Sequence, residues 1–132
     1  MNTEANFQFP LITIVDDDES VRDSIQSLIR SVGFRVRSFA SAEEFLQSHS
    51  FHDVSCLILD VRMPGMTGLK LQRHLKEKNF KIPIIFITEH YDETTRSQAL
   101  NDGAVEFLSK PFNEDALLSA IDVALHKSDE EE

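Results

Sequence analysis

The sequence holds one cysteine, Cys56, in 132 residues, so no internal disulfide can form and stability has to come from packing. A lone thiol suits a reducing cytoplasm. Positive charge is scarce too: 13 basic residues stand against 23 acidic ones, a formal net charge of -10. Such a surface repels phosphate backbones, which argues against direct nucleic-acid binding by this chain. Long apolar runs are missing; the longest are strand-sized, far short of the roughly 20 residues of a membrane span. Met1 to Phe9 lacks a basic start and an apolar stretch, which predicts no signal peptide. What is present is a hydrophobic fraction of 41%, enough for one core, in a length that suits one domain. The expected organisation is an N-terminal extension over 1–9, a domain over 10–127 and an acidic tail over 128–132 that frays.

Strand-like and helix-like stretches alternate five times. Leu11 to Val15, Phe34 to Phe39, Cys56 to Leu59, Ile84 to Ile87 and Val105 to Leu108 read as strands. Val21, Ile25, Leu28, Ile29 and Val32 fall on one face of a first helix, which Gly33 ends. Ser41, with Glu44 three residues on, has capping-box spacing for a short second helix. Leu71 and Leu75 mark the third helix. Tyr91 to Asn101 is the fourth, stopped by Gly103, with few apolar anchors besides Ala99 and Leu100. Leu117, Ala120, Ile121 and Ala124 give the fifth its buried face. Such alternation predicts a parallel sheet covered on both faces. Strands one, three and four are almost wholly apolar, whereas Arg35, Val36 and Arg37 alternate in strand two, and Glu106 interrupts strand five. Strands two and five should therefore be the edges. The order 2-1-3-4-5 satisfies this with right-handed crossovers: an α/β, flavodoxin-like (βα)5 doubly wound sheet.

That topology brings the carboxyl ends of the strands to one rim. Asp16, Asp17 and Asp18 follow strand one, Asp60 ends strand three, Thr88 strand four, and Lys110-Pro111 follows strand five. Two like charges about 4 Å apart repel by roughly 4 kcal/mol at an effective dielectric near 20. A divalent cation relieves this, and oxygen-only ligands favour Mg²⁺, with Mn²⁺ or Ca²⁺ as substitutes. A carboxylate so placed can also act as a nucleophile and form an aspartyl-phosphate. Lys110 would supply further positive charge and Thr88 a hydroxyl, which completes a kit for phosphoryl transfer. The blander readings are a solvated acidic turn that caps helix one, edge packing for Phe107, and a small core residue for Cys56. His49, His52, His74 and His126 read as surface residues, and Gly65 and Gly68 as servants of loop geometry.

The stretches Val15-Asp16-Asp17-Asp18-Glu19, Leu59 through Gly68 (LDVRMPGMTG) and Ser109-Lys110-Pro111-Phe112 resemble those of CheY-like response-regulator receiver domains. Ser38 through Leu46 and Gly103 through Leu108 are similar to the FixJ-type subgroup. The resemblance spans about Leu11 to Leu125. It implies a cytoplasmic switch rather than an enzyme, one that catalyses only its own phosphorylation and dephosphorylation. It implies Asp60 as phosphoacceptor and metal ligand, Asp17 as a direct ligand, Asp16 as a ligand through metal-bound water, and the carbonyl of Arg62 as the last protein ligand. Thr88 and Lys110 would contact the phosphoryl group, and Phe107 would be the aromatic switch that follows Thr88. The Lys110–Pro111 bond is usually cis in this family. The phosphoryl donor would be a histidine kinase. The face of helix four, strand five and helix five would control an output domain or partner outside this chain, or a second copy of itself.

One position departs from the pattern. The residue after Thr88 is usually small, and here it is Glu89, which predicts slower phosphorylation or altered dephosphorylation. His90 and the Arg62 side chain match positions that tune access of the hydrolytic water. A phosphatase of the haloacid-dehalogenase type would want an acid two residues after the nucleophile, where this chain has Arg62. An interaction module that has lost phosphorylation has only Glu89 in its favour.

Overall fold

The computed structural model describes residues 9–49 and 51–130, so most of the expected N-terminal extension and the last two residues of the acidic tail lie outside the described residues. Five parallel strands form one sheet in the order β2-β1-β3-β4-β5: β1 (Leu11–Val15), β2 (Arg35–Phe39), β3 (Cys56–Asp60), β4 (Ile84–Thr88) and β5 (Glu106–Ser109). Between and after them run α1 (Glu19–Ser31), α2 (Ala42–Gln47), α3 (Gly68–Glu77), α4 (Glu93–Asn101) and α5 (Glu114–Glu130). This is the expected flavodoxin-like topology. Its edges are the two strands whose polar residues alternate with apolar ones, because each has one partner strand and a wetter face.

The pleat divides the core in two. Ile12, Ile14, Cys56, Ile58, Ile85 and Ile87 face α1 and α5, where Ile25, Ile29, Leu117 and Ile121 meet them, all fully buried. Val15, Leu57, Leu59, Phe86 and Phe107 face α2, α3 and α4, meeting Phe45, Leu71, Leu75 and Ala99. Each fully buried side chain of this size contributes about 1.5–3 kcal/mol relative to exposure, so three strands buried on both faces form the stable centre. Cys56 belongs to this core, and burial pushes its thiol up to about 12, which leaves it inert.

Several boundaries differ from the sequence expectation. Val32 is 43% exposed rather than on the buried face of α1. It is the C-cap residue, where the chain leaves the helix. Phe34 N–H donates to Ile29 O, and Gly33 N–H to Arg30 O, the paired bonds of a Schellman ending. α3 ends the same way around Asn79, whose φ of 64° does what a glycine does elsewhere, a stop not anticipated. Tyr91 lies outside α4, because Asp92 is a better N-cap: its carboxylate accepts the Thr95 N–H and hydroxyl at 3.3 and 2.7 Å. The short 3-10 turn Phe51–Asp53 was not foreseen. The last helix runs to Glu130, past the boundary expected at residue 127.

α4 buries only Ala99 among its residues. Its C-terminal end is tied to α3: buried Gln72 donates to Ala99 O at 3.0 Å, and Lys76 pairs with Asp102 at 3.7 Å. Its N-terminal end makes hydrogen bonds within its own first turn. The helix is thus held at one end. Amide hydrogen exchange over Glu93–Ser97 should run at least ~10-fold faster than over Ile25–Ile29; equal protection of the two segments would refute the asymmetry.

Candidate functional site

The chain delivers the site residues by extending the ladder past the strand ends. Asp16 N–H donates to Phe39 O at 3.2 Å, Val61 N–H to Ile87 O at 3.2 Å, and Lys110 N–H to Thr88 O at 2.7 Å. These bonds hold the backbones next to Asp16, Asp60 and Lys110 in register, so the three side chains meet at the expected rim. The Lys110–Pro111 peptide is cis. The residue after the loop from β3 has to be glycine: a Cβ on Gly68 would run into the backbone carbonyl of Asp60 and against the Phe86 ring. That close approach lets Gly68 N–H donate to Val61 O at 2.9 Å and begin α3 directly under the site.

Asp16, Asp17 and Asp60 each present a carboxylate oxygen, all within 4.8 Å of one another. Asp16 is fully buried, Asp60 is 5% exposed, and Asp17 opens to solvent. Lys110 Nζ lies 2.8 Å from Asp16 Oδ2 and 3.6 Å from Asp60 Oδ2. The nearer contact is a short ion pair to a buried oxygen for which no other partner is seen among the described residues. One lysine therefore balances two buried carboxylates incompletely. Burial pushes the Asp60 carboxyl up to about 7, Asp16 adds to this, and Lys110 and the Arg62 N–H oppose it. Burial alone would lower the Lys110 ammonium, but Asp16, Asp60 and Glu89 outweigh it and hold it above its ordinary value. Hard oxygen donors gathered within 4.8 Å of one another and an excess of negative charge over the one lysine fit a divalent cation such as Mg²⁺.

The acidic triplet divides its work. Asp18 is the cap of α1, accepting the N–H groups of Ser20 and Val21 at 2.9 and 3.3 Å. Asp16 turns inward and accepts the Asp18 N–H at 2.9 Å, while Arg22 donates to its main-chain oxygen at 2.8 Å. The capping reading thus holds for Asp18 and not for its neighbours. Arg22 was not anticipated; its place in the first turn of an amphipathic helix, three residues after Glu19, was the available signal.

Around the carboxylates lies a cleft of about 240 Å³, lined by Asp17, Asp60, Arg62, Thr88, Glu89 and Lys110 among others. Thr88 is buried, and its hydroxyl is occupied by the loop: it accepts the His90 N–H at 3.0 Å and donates to His90 O at 3.3 Å. Glu89 and His90 are exposed. Arg62 sends its N–H toward Asp60 Oδ1 at 3.4 Å. The Asp92 carboxyl is held low first by the Thr95 hydroxyl, with the Arg62 guanidinium a lesser influence in the same direction. Phe107 is buried one strand over, its ring centroid 6.1 Å from Phe86 and 5.6 Å from Tyr91.

A carboxyl raised from 3.8 to about 7 on folding favours the folded state at low pH. That advantage is lost as pH rises from the unfolded value through the folded one. In metal-free protein, Asp60→Asn should raise the melting temperature by several degrees near pH 8 and leave it almost unchanged near pH 4. Mg²⁺ should stabilise the parent chain near pH 8 and not the variant. Thermal melts with and without chelator check both; a uniform effect of the substitution across pH would contradict the assignment.

Comparison with known proteins bears on the family and the fold. The family described as the response regulator receiver domain matches residues 12–122. Response regulator protein TmoT of Ectopseudomonas mendocina is 49% identical over 120 residues, covering 91% of this chain and 54% of TmoT. Transcriptional regulatory protein FixJ of Bradyrhizobium diazoefficiens is 37% identical over 118 residues, covering 89% of this chain and 58% of FixJ. Among solved structures, response regulator StyR matches with a TM-score of 0.87 at 46% identity, covering 93% of this chain and 62% of that one. FixJ-N matches at 0.81 and 38% identity, covering 91% and 96%. The chain spans about half the length of the curated relatives it matches. Receivers are signalling switches of two-component systems, use Mg²⁺, and work with histidine kinases and output domains. No described helix is long and apolar enough to cross a membrane. With its matched span running from β1 into α5, the chain belongs to the response regulator receiver domain family.

Proposed function

We propose that residues 10–127 form a cytoplasmic receiver that takes a phosphoryl group onto Asp60 from a histidine kinase, with Mg²⁺ held by Asp16, Asp17, Asp60 and the Arg62 carbonyl. The observation that carries this reading is the convergence of three carboxylates within 4.8 Å of one another, two of them against Lys110 Nζ, 2.8 Å from Asp16 and 3.6 Å from Asp60. The cation, when bound, neutralises the oxygens of the incoming phosphoryl group. Asp60 is the carboxylate placed to attack: a carboxylate oxygen forms the new O–P bond, the P–N bond to the donor imidazole breaks, and the imidazole leaves with a proton. Lys110, already aimed at Asp60, meets the charge of the transferred group. Water later cleaves the O–P bond and returns the free carboxylate, with Arg62 and His90 at the cleft mouth governing its access.

Phosphorylation would draw the Thr88 hydroxyl away from His90, exchanging two loop hydrogen bonds for one to the phosphoryl oxygen. The loop and the start of α4 would follow, and Phe107, packed between Phe86 and Tyr91, would adjust with them. Moving a population from 1:99 to 99:1 takes about 5.5 kcal/mol of preference for the active state. Charge-assisted contacts from Lys110 and Thr88 supply a large part of it. The α4–β5–α5 face then engages an output domain, a partner protein or a second copy. Buried, unpaired Cys56 agrees with a reducing compartment.

Incubation with Mg²⁺ and a small acyl phosphate should add one phosphoryl group to the intact protein mass, and Asp60→Asn should abolish it. No addition with several donors, a phosphorylated histidine kinase included, would sink the reading in favour of an unphosphorylated interaction module.

Glu89 adds a negative charge at the cleft and acts on Lys110, so it competes with the incoming phosphate. Glu89→Ala should speed phosphorylation by acyl phosphate at least about threefold, with the difference shrinking as salt rises. Unchanged phosphorylation and dephosphorylation rates would show that the side chain stands clear of the site.

A further inference from the structure

The loop between β3 and α3 carries the Arg62 carbonyl, yet its middle has few internal supports. Its start is fixed, since Val61 and Met63 are buried and Val61 O accepts the Gly68 N–H. Pro64 and Gly65 are exposed. What holds this stretch comes from another helix. Glu43, in the first turn of α2, accepts the Met66 N–H on Oε2 at 2.8 Å. Gly65, immediately before, has a φ of 78°, and a Cβ there would come to 2.5 Å from the same Oε2. The glycine is what lets the carboxylate approach.

The two adjacent glutamates of α2 have separate tasks. Glu44 closes the helix start: its N–H donates to Ser41 Oγ, and its own carboxylate accepts the Ala40 N–H, both at 3.1 Å. This departs by one residue from the reciprocal capping box, which would return to Ser41 itself. Glu43 is therefore not needed for the cap. It projects from a fixed base, because Ala42 and Phe45 on either side are fully buried. A carboxylate accepting a backbone N–H is a charge-assisted bond, stronger than a neutral one.

We propose that Glu43 is a positioning residue for cation binding. It pins Met66, and with it the exposed Pro64–Gly65 stretch that follows Arg62, which would limit the freedom of the Arg62 carbonyl as a ligand. Outer partners that orient metal ligands commonly matter about 10–100-fold in metal affinity. Glu43 touches neither the cation nor the phosphoryl group, and α2 thereby becomes part of the site's support. This inference rests on the receiver reading of the Asp16–Asp17–Asp60 site.

The test is calorimetric titration of the metal-free chain with Mg²⁺ alone, for the parent, Glu43→Ala and Glu43→Gln. Glu43→Ala should weaken Mg²⁺ binding about 10-fold. Glu43→Gln, which keeps an oxygen acceptor, should recover most of that loss. Melting temperatures in chelator should stay within about 2 °C of the parent, as for an exposed side chain. With acyl phosphate, Glu43→Ala should need more Mg²⁺ for half-maximal phosphorylation and reach the parent rate at saturating Mg²⁺. Unchanged Mg²⁺ affinity in Glu43→Ala would overturn the proposal. So would a loss of affinity matched by a clear fall in the metal-free melting temperature, since that marks a merely structural role. A parent chain that binds no Mg²⁺ would bring down the reading of the site itself, a result distinct from a parent that binds normally and is indifferent to Glu43.

Discussion

Everything at the business end of this sheet follows from one electrostatic constraint: buried carboxylates that one lysine cannot balance. Asp16 and Asp60 lie under the surface at the ends of adjacent strands, with Lys110 between them and Asp17 at the opening. In water such a cluster would relax by moving apart. Here the ladder bonds beside each residue, and the isoleucine core beneath, forbid it. The result appears at Asp60, whose carboxyl is raised first by burial and then by the neighbouring Asp16. A rigid scaffold holding a site in an uncomfortable charge state is a common way to make that site responsive to a cation or an anion.

The rest of the architecture divides into parts that resist displacement and a part that does not. α1 brings two fully buried aliphatic side chains to the sheet and α5 three; α4 brings Ala99. Gln72 and Lys76 then fasten α4 at its C-terminal end. Gln72 is itself only half satisfied, since its Oε1 is buried without a hydrogen-bond partner. The end of α4 nearest the site, beyond Thr88 and His90, rests on its own capping bonds and on Tyr91 against Phe107. An element fixed at one end and lightly seated at the other has a defined direction in which to move.

The sheet order could be read from the chain because burial on both faces leaves a plain mark: wholly apolar strands in the middle, alternating ones at the edges. The rim residues were legible because topology alone carries strand ends together. Other features left no such mark. Val32 continues the helical period by one residue beyond the point where Gly33 ends the helix, and periodicity does not report caps. Tyr91 fits the helical stretch by position, but Asp92 is the residue that caps α4. Asn79 does by a positive φ what a glycine usually does, and nothing in its neighbours announces it. Gln72 and Glu43 are polar residues whose roles depend on partners 27 and 23 residues away, which no local pattern encodes.

Glu89 and Thr88 bear on how the site could connect to the helix. The Thr88 hydroxyl is engaged with the main chain of His90, so the loop after β4 is closed on itself in this state. Glu89 sits between the two residues of that turn and faces the same cleft as Lys110. Its charge partly satisfies the lysine and so lessens the pull that an incoming phosphate would exert. A small residue there would leave Lys110 to the two aspartates alone. The departure at this one position therefore acts on the same charge imbalance as the aspartates, through the same lysine. Its effect should be felt in rates and salt dependence rather than in the fold, because an exposed side chain on a closed loop contributes nothing to either half of the core.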